Sequence, residues 1–440
     1  MPDGRVSSPL HRRDPLMRPS GLGRHGLVCT LSLLLGLGSA CGSSNSGPVP
    51  KAIAAPADNV AEVSIDYGLP ESPYVNGLFA TITVCVPGTS DCQSIDHVLV
   101  DTGSSGLRLL ATVLTLSLPT WTDDNGVALA ECNQFVDSFV WGELRTVDLS
   151  IAGELASGLP IQVIGESTYP VPNDCTGADA SNVEALGANG LLGVAAFLQD
   201  CGPACAAGLG PKSENPGMYY ECSSAAAGGC QAAAVPVSEQ VSNPAAFFSQ
   251  DNNDTIVELP AISADGAPSV TGALVFGIGT RANNGLDGAA VLRLDSYGEF
   301  LTRYPSNGGE VAAFIDSGSN AIFFLDSGTT GIPTCSDSAY SDFYCPNSTL
   351  NLSVQLQDTY GSTPVTANFS VANAEGLFAA NNYSNVAFDD LGGPSAAPQP
   401  GTTDMGTYFD WGLPFHFGRN VFTAIEGQAT SSGAGPFVAF

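Results

Sequence analysis

The apolar positions of this chain come in short runs rich in Val, Ile, Phe and Thr, broken by Gly, Pro, Asn, Asp and Ser. That pattern favours many strands joined by turns over long helices. The strand pattern sets in at about Val63, and residues 78–86 (LFATITVCV) alternate with the period of two that a strand requires. A second strand-rich stretch begins near Ala273. Two stretches interrupt the pattern. Cys, Gly and Ala dominate residues 200–240, which read as a disulfide-tied surface insertion, and 389–405 read as a polar loop rich in Gly, Pro and Ala.

The first residues follow a different rule. Arg18 and Arg24 precede an apolar run from Leu27 to Leu37, which ends in Gly38-Ser39-Ala40 before Cys41. A positive region, a run too short to span a bilayer and a small-residue cleavage site together read as a signal peptide over 1–41. Met17 offers an alternative start. Ala40-Cys41 is similar to a bacterial lipoprotein processing site with Cys41 as the lipidated residue; simple cleavage is the other reading, and both stand. Residues 42–62 are small, polar and Pro-bearing, as a flexible tether would be.

The pattern also repeats. An apolar lead-in followed by Asp-hydroxyl-Gly-Ser occurs as HVLVDTGS (97–104) and again as AAFIDSGS (312–319). An apolar segment around a glycine follows each: GLLGVAAF (190–197) with Gly193, and FHFGRNVF (415–422) with Gly418. Duplication of one all-β unit accounts for this most simply. It predicts a first lobe over 63–270, carrying the 200–240 insertion, and a second lobe over 271–440.

Composition narrows the chemistry. Beyond residue 41 there are eight Lys plus Arg against 41 Asp plus Glu, so nucleic acid is excluded as a partner. No CxxC occurs and only His97 and His416 remain outside the leader, so no metal site and no cofactor are expected. GxSxG is absent, and GIG at 277–279 lacks the context of a dinucleotide loop. Ten cysteines after an export signal imply disulfides. Proximity in sequence pairs Cys85 with Cys92, Cys201 with Cys205, Cys222 with Cys230 and Cys335 with Cys345, which leaves Cys132 with Cys175; ten cysteines permit many other connectivities. His97 and His416 read as ordinary polar and packed residues.

An Asp-hydroxyl-Gly-Ser turn at the end of a buried strand can present a carboxylate to a close backbone. Two such turns facing each other set two carboxylates in one site, where they share a proton. One then acts as base on a bound water while the other polarises an amide carbonyl. VLVDTGSSGL and FIDSGSN resemble the paired active-site motifs of pepsin-like aspartic peptidases. NGLLGVAAF (189–197), GALVFGIG (272–279) and FGRNVFTAIEG (417–427) with GPFVAF (435–440) are similar to further family segments in the same order. The chain also resembles bacterial exported proteins of this pattern that have no assigned activity.

The resemblance implies a bilobal fold of two duplicated β-barrel-like lobes with a cleft between them. It makes Asp101 and Asp316 the catalytic pair, supported by Thr102, Gly103, Ser104, Ser317, Gly318 and Ser319. Thr102 and Ser317 would tie the two turns together, and Ser104 and Ser319 would bond the outer carboxylate oxygens. It further implies an exported endopeptidase acting on peptides or unfolded proteins in the cell envelope or outside it. Membrane contact would come only through a lipid at Cys41. Two departures stand out: Arg108 occupies a place that is usually aromatic, and the flap stretch FVDSFVWG (135–142) has no tyrosine. Trp141 fits the flap position best and Phe135 second. These departures motivate the alternative of an envelope protein that keeps the cleft to bind a peptide or protein without turnover. Asn253, Asn347, Asn351, Asn368 and Asn382 satisfy N-x-S/T but carry little weight in a bacterial setting.

Overall fold

Alternation builds the strands. In Val60–Ile65 the side chains of Ala61, Val63 and Ile65 are buried and those between them are not. The strand therefore begins inside the stretch expected to be tether. A computed structural model describes residues 53–440 except 136–137, 166–167, 211–212, 214, 224–228, 306–307, 381–383 and 396–407. The leader, Cys41 and Asn382 lie outside the described residues.

The fold is all-β and bilobal. Among the described residues one sheet has sixteen strands and a second has seven, while the longest helix, Ala374–Ala379, has only six residues. Among the described residues no helix is long and apolar enough to cross a membrane. The large sheet holds the first half of the chain, and the seven-stranded sheet is built from strands between Phe300 and Trp411. The two halves share a platform of antiparallel strands. Val60–Ile65 pairs with Val270–Phe276, which pairs with Asp254–Glu258, which in turn pairs with Asn420–Ala424 near the chain end. Each half has its own apolar core: Val98, Val100, Leu107 and Leu192 belong to one, Ile315, Phe324, Phe409 and Trp411 to the other.

The same three-strand unit appears in both halves. Gly190–Val194 lies between Cys92–Asp101, to which it runs parallel, and Ser105–Leu110, to which it runs antiparallel. Tyr408–Trp411 lies in the same way between Gly309–Ile315 and Ile322–Phe324. The inserted strand fixes where each acidic strand ends, because it bonds that strand along one edge and its return along the other.

All five disulfides join the pairs that proximity suggested, Cys132–Cys175 included. Five disulfides are compatible with an exported or secreted protein. The Cys-rich stretch is more than a surface insertion. Tyr219–Cys222 and Cys230–Ala232 extend the edge of the large sheet beside Ala128–Gln134, and Tyr219, Cys201 and Cys205 are fully buried.

Loop length ranks the disulfides. Cys132–Cys175 closes a separation of 43 residues and Cys85–Cys92 one of seven. Loop-closure entropy then assigns about 4 kcal/mol to the first and about 2.5 kcal/mol to the second. Urea unfolding of the two double Cys→Ala variants should show the larger loss for Cys132/Cys175. The reverse order would remove loop entropy as the controlling quantity.

Candidate functional site

Each acidic turn begins where a buried strand stops. Val98, Leu99 and Val100 carry the strand Cys92–Asp101 through the core, and Phe314 and Ile315 do the same before Asp316. Neither Asp101 nor Asp316 has exposed surface. Burying a carboxylate is costly unless donors meet it, and the two turns supply matching donors. Gly103 N–H donates to Asp101 Oδ1 at 2.8 Å, and Gly318 N–H donates to Asp316 Oδ1 at 2.8 Å. The Ser104 hydroxyl donates to Asp101 Oδ2 at 2.5 Å, and the Ser319 hydroxyl lies 2.9 Å from Asp316 Oδ2.

Four hydrogen bonds cross between the turns. Thr102 N–H donates to Ser317 Oγ at 3.1 Å and Ser317 N–H to Thr102 Oγ1 at 2.9 Å. The Thr102 hydroxyl donates to the Ile315 carbonyl at 3.3 Å and the Ser317 hydroxyl to the Val100 carbonyl at 2.7 Å. A Cβ placed on Gly103 would come within 2.7 Å of the Asp316 carboxyl carbon. The turn of one lobe therefore rests on the carboxylate of the other, and only glycine fits there.

The glycine partner in the second lobe is Gly412 and not the expected Gly418. Gly193 stands in register with Asp101, and the pairing Ile315↔Trp411 puts Gly412 at the matching place beside Asp316. Cβ atoms at Gly193 and Gly412 would strike the carbonyls of Ser104 and Ser319 respectively, each within 2.8 Å. Gly418 sits further on, with φ +72° and Ala261 as its neighbour.

The flap candidates change order. The hairpin of Ala128–Gln134 and Ser138–Ile151 exists, but Trp141 points away from the carboxylates into a layer with Cys132, Phe139, Cys175 and Tyr220. Its indole N–H donates to the Tyr169 carbonyl at 3.0 Å. Phe135 and Val140 pack instead with Leu99 and Leu191, on the face that Leu99 shares with Asp101. A cavity beside the first turn is lined by Thr102, Gly103, Ser104, Phe197, Tyr297 and Phe314. A larger concavity around Asn351, Phe415 and Arg419 includes no residue of either turn.

Arg108 is a structural ion. It is fully buried, with its guanidinium 3.0 Å from Glu131 and 2.9 Å from Asp200, and it also bonds Gln162 and the Ser105 carbonyl. Tyr219 from the Cys-rich stretch donates to Asp200 at 2.6 Å and closes the network. His97 adopts φ +48° and contacts Asp66 and Asp96, away from the pair. His416 is buried beside Phe415; burial pushes its pKa down to about 3 and keeps it neutral.

Three contributors escaped the sequence reading. Asn76, at φ +53°, donates from its side chain to the carbonyls of Asn320 and Phe388 and accepts from Phe388 N–H, which pins the first lobe to the second. Tyr74 packs beside Phe135 and places its hydroxyl 3.5 Å from the Gly318 carbonyl. The third is Asp410, fully buried, with Oδ2 2.5 Å from the Ser319 hydroxyl. Burial, then Asp316 and more weakly Asp101, holds its carboxyl well above the usual carboxylate range, against the lowering effect of Ser319. The one available signal was an acid inside the aromatic run YFDWG (408–412).

Comparison with known proteins gives a family and a distant likeness. The profile of a family described as "Protein of unknown function (DUF3443)" matches residues 55–440. No curated protein sequence matches the chain. Among solved structures, the aspartic proteinase from Irpex lacteus is 13% identical, with a TM-score of 0.49, covering 86% of this chain and 96% of that one.

Two outcomes follow from the electrostatics. Arg108→Met would leave Glu131 and Asp200 buried without their cation, a loss of about 3–5 kcal/mol; an unchanged urea midpoint near neutral pH would contradict the network's role. Stability should also fall as pH rises. Burial, reinforced by Asp389, raises Asp390 to about 7, and burial with Asp295 raises Glu299 to about 7. Such groups hold protons in the folded state that the unfolded chain releases above about pH 4, so their stabilisation is lost between about pH 4 and 7. His416 acts oppositely, because below about pH 6.5 only the unfolded chain binds its proton. One histidine against several acids leaves the expectation of a higher Tm at pH 5 than at pH 8, and a lower one would refute it.

Proposed function

We propose that this chain, which belongs to the DUF3443 family across residues 55–440, is an aspartic-type endopeptidase with Asp101 and Asp316 as its catalytic pair. The observation that carries this reading is the reciprocal bonding of Thr102 and Ser317, which joins two turns that each hold a carboxylate through the same pair of donors. In that setting the pair shares one proton. The ionised member takes a proton from water as its oxygen attacks the amide carbon, and the protonated member donates toward the carbonyl oxygen. The C–N bond then breaks with proton transfer to the leaving nitrogen. The apolar side chains of Phe197, Tyr297 and Phe314 beside the first turn suit an apolar residue of a peptide or unfolded protein. We further place the protein outside the cytoplasm, anchored by a lipid at Cys41 or released after cleavage. The disulfides support export and leave that choice to mass spectrometry of the mature N-terminus.

One observation favours a second reading, capture of a peptide without turnover: both carboxylates lack exposed surface. A single experiment separates the two. Purified mature protein should cleave an unfolded protein substrate at acidic pH, and Asp101→Asn or Asp316→Asn should lower the rate about a hundredfold or more. Cleavage that persists in both variants would end the peptidase reading. Binding of the same substrate with no cleavage at any pH would establish capture.

A further inference from the structure

The Ser319 hydroxyl touches two carboxyl groups. Its oxygen lies 2.9 Å from Asp316 Oδ2 and 2.5 Å from Asp410 Oδ2. Two hydrogen bonds along three oxygens need two protons, and the hydroxyl supplies one. The second must sit on a carboxyl. Asp316 is equipped to be the anion, because Gly318 N–H meets its other oxygen at 2.8 Å. Asp410 is not: its Oδ1 is buried and has no hydrogen-bond partner among the described residues. An ionised Asp410 would therefore place an unsolvated charge in the core.

We propose that Asp410 is a positioning residue of the acidic pair, which carries the second proton of the row and donates it to Ser319, so that the Ser319 hydroxyl is committed to Asp316. This rests on the peptidase reading for its kinetic consequence, though not for its protonation. The row has no counterpart in the first lobe. The place that Asp410 takes opposite Phe314 is taken by Leu191 opposite Leu99, so Ser104 has no acid behind it. Strands on both sides of Asp410 present Phe314 and Phe323 in register, and the ionisable groups that bear on it are Asp316 and Asp101. No cation acts on it among those groups, which leaves its proton the source of neutrality. Loss of that proton reverses the row. Ionised Asp410 draws the Ser319 proton to itself, Asp316 loses a donor, and a second negative charge faces the one the pair already carries. Asp410 thus sets the upper pH bound within which Asp316 works as the anion.

Two measurements decide this. Infrared difference spectra at pH 7 between wild type and Asp410→Asn should show the carbonyl band of one protonated carboxylic acid lost in the variant. Should the variant fail to fold, Ser319→Ala serves instead and should shift that band by removing its partner. Absence of the band, or its indifference to Ser319→Ala, overturns the proposal. Where the wild type turns over peptide, Asp410→Asn should keep activity at acidic pH, since its amide can still donate to Ser319. It should also move the alkaline limb up by about one pH unit, a tenfold gain above that limb. A uniform loss with an unmoved limb means a merely structural role and also overturns it. If no form cleaves peptide while the band behaves as expected, the peptidase reading fails and the protonated Asp410 stands.

Discussion

Two backbone amides and two hydroxyls, exchanged between Thr102 and Ser317, are the contact on which the rest of the molecule depends. Each residue donates from its backbone to the other's side chain, and each side chain donates to a carbonyl across the gap. Such an exchange works only if both strand ends arrive at one level with their turns in close contact. The inserted strands enforce this arrival, and their glycines, Gly193 and Gly412, allow the inserted backbone to pass against the turn carbonyls. Gly103 meets the remaining demand, since a side chain there would collide with Asp316. The buried carboxylates follow as a consequence. They are tolerable because each turn brings an amide and a hydroxyl to its own acid.

The two halves keep this arrangement and spend their polarity differently around it. At the place seven residues after the acid, the first half has Arg108 and the second Phe323; opposite them on the inserted strands stand Leu191 and Asp410. An ionisable side chain on the return strand of one half thus corresponds to one on the inserted strand of the other. In the first half Asp200 supplies the counter-charge, and Glu131, whose carboxyl burial and the neighbouring Asp200 hold well above the usual carboxylate range, completes the network that the Cys-rich stretch and the hairpin strand help to bury. In the second half no cation among the described residues acts on Asp410, and in the proposed row its own proton does the same work. Buried ions need partners, and the two halves found different ones.

The legible part of the sequence was the part that repeats or lies close together. Two Asp-hydroxyl-Gly-Ser turns with apolar lead-ins identified the residues that now face each other, and near-neighbour cysteines indicated the disulfides. What failed depended on a face or on a distance. Gly412 lies between Trp411 and Leu413 and Gly418 between Phe417 and Arg419, so each follows an aromatic residue, and strand register decides between them where spacing alone did not. Trp141 and Phe135 belong to one hairpin, but their faces are set by its register, which pattern alone leaves open. Asp410 carries no motif; a single acid in an aromatic strand acquires meaning only once Ser319 lies against it.

Access to the pair is the remaining constraint, and it bears on both functional readings. Phe135 and Val140 at the hairpin end cover the face that Leu99 and Leu191 present beside Asp101. Under either proposed reading, a peptide that approached over this face would have to displace this packing. Withdrawing one Phe side chain from such a site costs about 2–3 kcal/mol. A ligand that buries an apolar side chain in the vacated place recovers a similar amount. Opening is therefore nearly balanced in the presence of a suitable peptide and unfavourable without one. On the proposed readings the hairpin would therefore favour ligands with an apolar residue at the contact, because a polar one would leave the cost of opening uncompensated.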